Sequence, residues 1–77
     1  MHVVILGKSD CPYCVKAKEL VEALCLDYKY IDIVAKGYTK VDLEVYTGSP
    51  VETVPQIFID SQPIGGYTEF VAYLEGN

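Results

Sequence analysis

Short apolar runs alternate with longer stretches of helical spacing along this chain. Residues 2–6 are apolar and rich in β-branched side chains, which predicts a buried strand. Residues 12–24 place Val15, Ala17, Leu20, Val21 and Leu24 on an apolar stripe, with Lys16, Lys18, Glu19 and Glu22 as the polar remainder. That pattern predicts a first helix. Residues 28–33, Tyr-Lys-Tyr-Ile-Asp-Ile, are β-formers and predict a second strand. Two strands joined through a helix make a β-α-β unit, so this pair should run parallel. Residues 39–47 fit two patterns. Val41, Leu43 and Val45 alternate like a strand, yet Thr39 and Asp42 resemble a capping pair and Val41 and Val45 stand one helical turn apart. Gly48 supplies a stop, so we read a helix there, followed by a loop from Ser49 to Thr53. Residues 56–60 predict a third strand and residues 62–64 a short fourth, joined at Asp60 and Ser61 as a tight antiparallel hairpin. After Gly65-Gly66, the segment Thr68 to Leu74 reads as a last helix with Phe70, Val71 and Leu74 facing inward.

The order β-α-β-α-β-β-α matches an α/β, thioredoxin-like fold: a four-stranded mixed sheet flanked by three helices, with helices on both faces. Seventy-seven residues are expected to form one domain spanning 1–77. Half of the composition is hydrophobic, ample for a globular core. A net charge of −5, with no run of lysines or arginines, argues against a phosphate-binding surface and a nucleic-acid partner. No apolar run approaches the ~18 residues of a membrane span. Met1 to Leu6 lacks a basic start, a long apolar stretch and a cleavage site, so no leader is expected. Three cysteines fit poorly with a secreted disulfide scaffold, and the reducing cytoplasm is the expected compartment.

The chemistry gathers at Cys11-Pro12-Tyr13-Cys14, where the first strand and the polar loop Gly7 to Asp10 hand over to the first helix. Two thiols two residues apart at that junction read as a thiol–disulfide redox motif. A helix N-terminus presents unpaired N–H groups and partial positive charge, which favour a thiolate. Pro12 suits the first helical position, which has no N–H bond to lose. Cys14 lies three residues on, on the same helical face, placed to attack a mixed disulfide formed at Cys11. The expected roles are nucleophile for Cys11 and resolving thiol for Cys14. Lys8 adds positive charge to the site and Asp10 opposes it.

Two further stretches carry weaker signals. Pro55 stands immediately before the third strand, where a residue without an N–H is tolerated. Taken alone it is an ordinary loop proline; beside the thiols, a cis proline would leave the Val54 backbone free to pair with an extended, cysteine-containing substrate. Gly65-Gly66-Tyr67-Thr68 is a turn with a helix cap, or a carboxylate pocket built of helix N-terminal N–H groups and the Thr68 hydroxyl.

Lys8, Cys11-Pro12-Tyr13-Cys14, Thr53-Val54-Pro55 and Gly65-Gly66-Tyr67-Thr68 together resemble a dithiol glutaredoxin, as does Val54-Pro55-Gln56-Ile57-Phe58-Ile59-Asp60. The resemblance spans nearly the whole chain with its motifs in the family's order. It implies a thioredoxin-like fold, a cis Pro55, and glutathione in a groove between the Cys11 helix, the Thr53-Val54-Pro55 loop and the last helix. The glutathione cysteine would pair with the Val54 backbone, its glutamyl carboxylate would meet Gly66, Tyr67 and Thr68, and its glycyl carboxylate would lie near Lys8, with Tyr13 bordering the groove. Such proteins reduce glutathione mixed disulfides through Cys11 alone. They reduce protein disulfides, including those of ribonucleotide reductase, through Cys11 and then Cys14. Glutathione is then the reductant, no metal is required, and a monomer is expected.

Three positions depart from the family pattern. Cys25 stands where glycine often follows the first helix. The Gly48 to Thr53 loop is slightly longer. Thr68-Glu69 replaces the usual aspartate near the glutathione amino group. Cys25 reads as a small buried or half-buried residue, with a regulatory thiol as the sharper alternative. His2 reads as a terminal or strand-edge residue. One C-x-x-C does not make a zinc site. Two other functions compete with the leading one: a glutaredoxin-shaped carrier recharged by thioredoxin reductase, and a dimer holding an iron–sulfur cluster through Cys11 and two glutathiones.

Overall fold

Alternation along the strands assigns side chains to the two faces of one sheet. The computed structural model describes residues 1–48 and 54–76. Its elements in chain order are β1 (His2–Gly7), α1 (Pro12–Ala23), β2 (Asp27–Asp32), α2 (Lys40–Thr47), β3 (Gln56–Ile59), β4 (Gln62–Gly65) and α3 (Tyr67–Leu74). The strands are ordered β2-β1-β3-β4. As expected, β1 runs parallel to β2, and β3 is antiparallel to both β1 and β4. Val3 and Ile5 of β1 and Ile57 and Ile59 of β3 point to one face, where they pack with Ala17 and Val21 of α1 and Phe70 of α3. Leu6 and Phe58 point to the other face and pack with Ile31 and Ile33, and with Leu43 of α2. Each fully buried side chain of this size contributes about 1.5–3 kcal/mol. Helices therefore lie on both faces of a four-stranded mixed sheet, the thioredoxin-like arrangement.

Local signals explain where the elements stop. Leu26 N–H bonds to the Val21 carbonyl and Cys25 N–H to the Glu22 carbonyl, at 3.0 and 3.1 Å. That is a Schellman ending for α1, and it puts Cys25 in the left-handed region at φ 55. Cys25 is exposed, not buried or half-buried as expected from its residue type. The cap geometry overrides the apolar preference of the thiol, because the residue just past a Schellman helix end projects away from the core. The hairpin turn at Asp60 and Ser61 has positive φ at both residues, the type I′ geometry whose twist suits a two-residue connection. Pro63 sits on the edge strand β4, where its missing N–H costs no ladder bond to a further strand.

Helix α2 follows the cap signals. Thr39 Oγ1 accepts the Asp42 N–H at 3.3 Å and the Asp42 carboxylate accepts the Thr39 N–H at 2.8 Å. Gly48 ends the helix at φ 73. The Val41 and Val45 pair that supported the helix is nevertheless on its outer side, 66% and 78% exposed, while Leu43 is the anchor at 4%. Thr39→Ala removes the reciprocal cap and lowers stability by ~1 kcal/mol, to be read from the shift in urea midpoint. On α1, Cys14, Ala17 and Val21 form the buried face, whereas Val15 and Leu24 of the expected stripe are exposed. Val15 is one residue round from Cys14, and Leu24 is the C-cap beyond the last turn. On α3, Phe70 is buried, with Val71 and Leu74 half-buried.

Candidate active site

Strand β1 ends at Gly7, the chain turns through residues 8–10, and α1 begins at Pro12 with Cys11 as its N-cap. Cys11 takes the place that serine or aspartate usually fills, with sulfur as the capping acceptor. Its Sγ accepts the Cys14 N–H at 3.4 Å. The same thiol donates to the Val54 carbonyl at 3.6 Å. Cys11 is half-buried at the surface, and Cys14 is fully buried beneath it. An incoming disulfide thus meets Cys11 first.

Burial pushes the Cys14 thiol up from its ordinary 9.0 to about 12, reinforced by its hydrogen bond with Cys11 and opposed by the Lys8 backbone. Cys14 is a neutral thiol at physiological pH. A raised thiol pKa favours the folded state while the unfolded chain keeps its proton, and that advantage is lost as pH climbs from about 9 to about 12. Stability should therefore fall over that alkaline window, and fall less steeply in Cys14→Ser. Urea titrations at pH 8, 9 and 10 of both proteins check the difference in slope (roughly, the proton that only the unfolded chain releases).

Beside the thiols lies a cleft of about 250 Å³ lined by Tyr13, Val54, Pro55, Gly66, Tyr67, Thr68 and Glu69. The Val54-Pro55 bond is cis, as the resemblance implied. The Tyr13 and Tyr67 rings meet at 5.8 Å with a 35° tilt and close one wall. Lys16 Nζ stands 5.3 Å over the Tyr13 ring and sets a positive charge beside that wall. Gly66 is the N-cap of α3, so this helix starts one residue earlier than expected and Thr68 falls in its first turn. The Tyr67 and Thr68 N–H groups belong to the first turn of α3, where the helix itself supplies no acceptor. The site thus offers a nucleophile, a second thiol behind it, and a cleft that ends at the first turn of α3.

Tyr13, Val54, Pro55, Gly66, Tyr67 and Thr68 all line this one cleft. Lys8 is not among its lining residues; its Nζ lies 4.0 Å from Asp10 Oδ1 at the edge of the dithiol loop. Thr53 lies outside the described residues, as do residues 49–52 of the Gly48 to Thr53 loop that was expected to be longer. Glu69, noted in the sequence only as a departure from the family's aspartate, also lines the cleft, and its carboxylate accepts the Gly66 N–H at 2.7 Å. The glutamate three residues after the N-cap is the legible signal, since that spacing lets a carboxylate reach back. Tyr30 is a residue that the sequence reading does not single out. It stands on β2, and its hydroxyl shares with the Cys14 sulfur the space beside Gly7, a placement that only the strand register reveals. Among the described residues, no group of three or more His, Cys, Asp or Glu side chains is arranged to hold a metal ion. Nor is any helix among them long and apolar enough to cross a membrane.

The glutaredoxin family model matches residues 3–64. The chain is 55% identical to glutaredoxin 1 of Escherichia coli, with 100% of this chain and 96% of the relative covered. It is 57% identical to a glutaredoxin of Vibrio cholerae, covering 100% of this chain and 94% of that one. Among solved structures, oxidised E. coli glutaredoxin superposes with a TM-score of 0.87 over 100% of this chain and 96% of that chain, at 55% identity. A buckwheat glutaredoxin solved as a glutathione complex superposes with a TM-score of 0.78 at 28% identity, over 95% of this chain and 67% of that chain.

Proposed function

This chain belongs to the glutaredoxin family of thiol–disulfide oxidoreductases, and on that premise we propose that its electrons come from glutathione bound in the Tyr13–Thr68 cleft. The observation that carries the reading is the meeting of dithiol and cleft at Val54. Its carbonyl lies 3.6 Å from Cys11 Sγ, and the same residue lines the slot. A tripeptide threaded there places its own sulfur beside Cys11 while its backbone runs along Val54. Its glutamyl carboxylate reaches the Tyr67 and Thr68 N–H groups, and its glycyl carboxylate lies toward Lys8. The buckwheat relative, solved with glutathione, supports this reading by likeness.

The reaction has two branches from one start. The Cys11 thiolate attacks a disulfide sulfur; a Cys11–sulfur bond forms, the substrate S–S bond breaks, and the leaving thiolate takes the electron pair. When the adduct is glutathione, a second glutathione thiolate displaces Cys11 and leaves as oxidised glutathione. When the adduct is a protein, Cys14 displaces it, giving the reduced protein and a Cys11–Cys14 disulfide that two glutathiones reduce. Ribonucleotide reductase is among the protein disulfides proposed, and the cytoplasm is the proposed compartment. We take the chain as one monomeric domain.

The test is NADPH consumption with a small glutathione mixed disulfide. One reaction contains glutathione and glutathione reductase; the other contains thioredoxin reductase and no glutathione. Turnover in the first alone supports the reading. Turnover in the second alone assigns the cleft a structural role and the protein to thioredoxin-reductase-dependent carriers.

A further inference from the structure

The Tyr30 hydroxyl approaches the dithiol from outside the cleft lining. Tyr30 lies on β2, which pairs in parallel with β1 so that Ile5 faces Tyr30 and Gly7 faces Asp32. Its ring packs against the core under α1, and Lys18 Nζ lies 5.5 Å over that ring. A Cβ at Gly7 would stand 2.6 Å from the Tyr30 hydroxyl and 2.9 Å from Cys14 Sγ. The Tyr30 hydroxyl and the Cys14 sulfur therefore both border the space that a side chain at Gly7 would fill.

We propose that the Tyr30 hydroxyl is the hydrogen-bond donor that holds the Cys14 sulfur and stabilises its thiolate for the resolving step. The inference rests on the nucleophile and resolving roles given above to Cys11 and Cys14. A buried sulfur must ionise before it attacks, and burial alone opposes that. The groups facing the pair are Cys11 and Lys18 on α1, Lys8 on the loop before it, and Asp32 on β2. Burial and the charges of Cys14, Asp32 and Cys11 push the Tyr30 hydroxyl up to about 12, so it keeps its proton. A phenol that keeps its proton is a donor, and the thiolate is its acceptor. In the step, Cys14 releases its proton to water and its sulfur bonds to Cys11 Sγ. The bond from Cys11 to the substrate sulfur breaks, and the electron pair leaves on that sulfur. Tyr30 neither gains nor loses a proton overall.

The experiment uses dithiobis-nitrobenzoate, which releases one coloured thiolate when Cys11 attacks and a second when Cys14 resolves the adduct. All proteins carry Cys25→Ser, so the exposed third thiol adds no signal. Stopped-flow traces are recorded from pH 6 to 9, with and without Tyr30→Phe. The variant is expected to lower the ratio of second-phase to first-phase rate about tenfold and to displace the second-phase pH profile about one unit upward. A superimposable profile, or equal loss of both phases, assigns Tyr30 a packing role and overturns the inference. A single release from the protein with Tyr30 intact overturns the resolving role of Cys14 and this inference with it.

Discussion

Cys11→Ser is expected to abolish turnover of glutathione mixed disulfides and of protein disulfides alike, by ~10³-fold or more in kcat/KM. Cys11 is the thiol that stands at a helix N-cap, bonds to the Cys14 N–H and opens toward the cleft. A serine hydroxyl can keep the cap, so the fold is preserved and the loss is chemical. Neither remaining thiol substitutes for it. Cys14 has no exposed surface and is held neutral by burial, and Cys25 sits past the far end of α1, outside the cleft lining. The coupled NADPH assay reads the loss, and full activity in this variant would overturn the assignment of the nucleophile.

Cys14→Ser is expected to separate the two branches. Turnover of glutathione mixed disulfides persists, because a second glutathione displaces the first at Cys11. Reduction of a protein disulfide falls by ~100-fold or more, because the mixed disulfide must then wait for an external thiol. Cys14 lies on the same helical face as Cys11, so its attack is intramolecular and needs no encounter. Measuring both substrates on one preparation checks the separation. Equal loss on both would mean that Cys14 serves the first step as well.

Much of this fold is legible in the residues alone, for physical reasons that differ by element. Strand β1 shows because an apolar run ahead of a polar loop has few alternatives, and α1 because Cys11 and Pro12 mark its start and its apolar spacing continues from there. Helix α2 is legible through Thr39, Asp42 and Gly48, yet its core residue is not. Two valines at helical spacing fit either face of a short helix, and only packing selects Leu43. The expected burial of Cys25 rests on residue type, whereas its position just past a helix end fixes both its φ and its exposure. The cleft is legible through motifs scattered over the chain, since Tyr13, Val54 and Thr68 meet only after β1 pairs with β3 and α3 packs beside α1. Tyr30 leaves no local trace. Its role depends on a parallel register and on an absent side chain at Gly7, and neither is a pattern within a window of sequence.

The central claim is that Cys11 is the thiol that carries glutathione. The most direct measurement is peptide-mapped mass spectrometry of Cys14→Ser protein after exposure to oxidised glutathione at neutral pH. Exposed Cys25 serves as an internal rival in the same molecule. The account predicts a single glutathionyl adduct on the peptide containing Cys11, formed before any on the peptide containing Cys25. An adduct that forms first on Cys25, or equally on both, would contradict it.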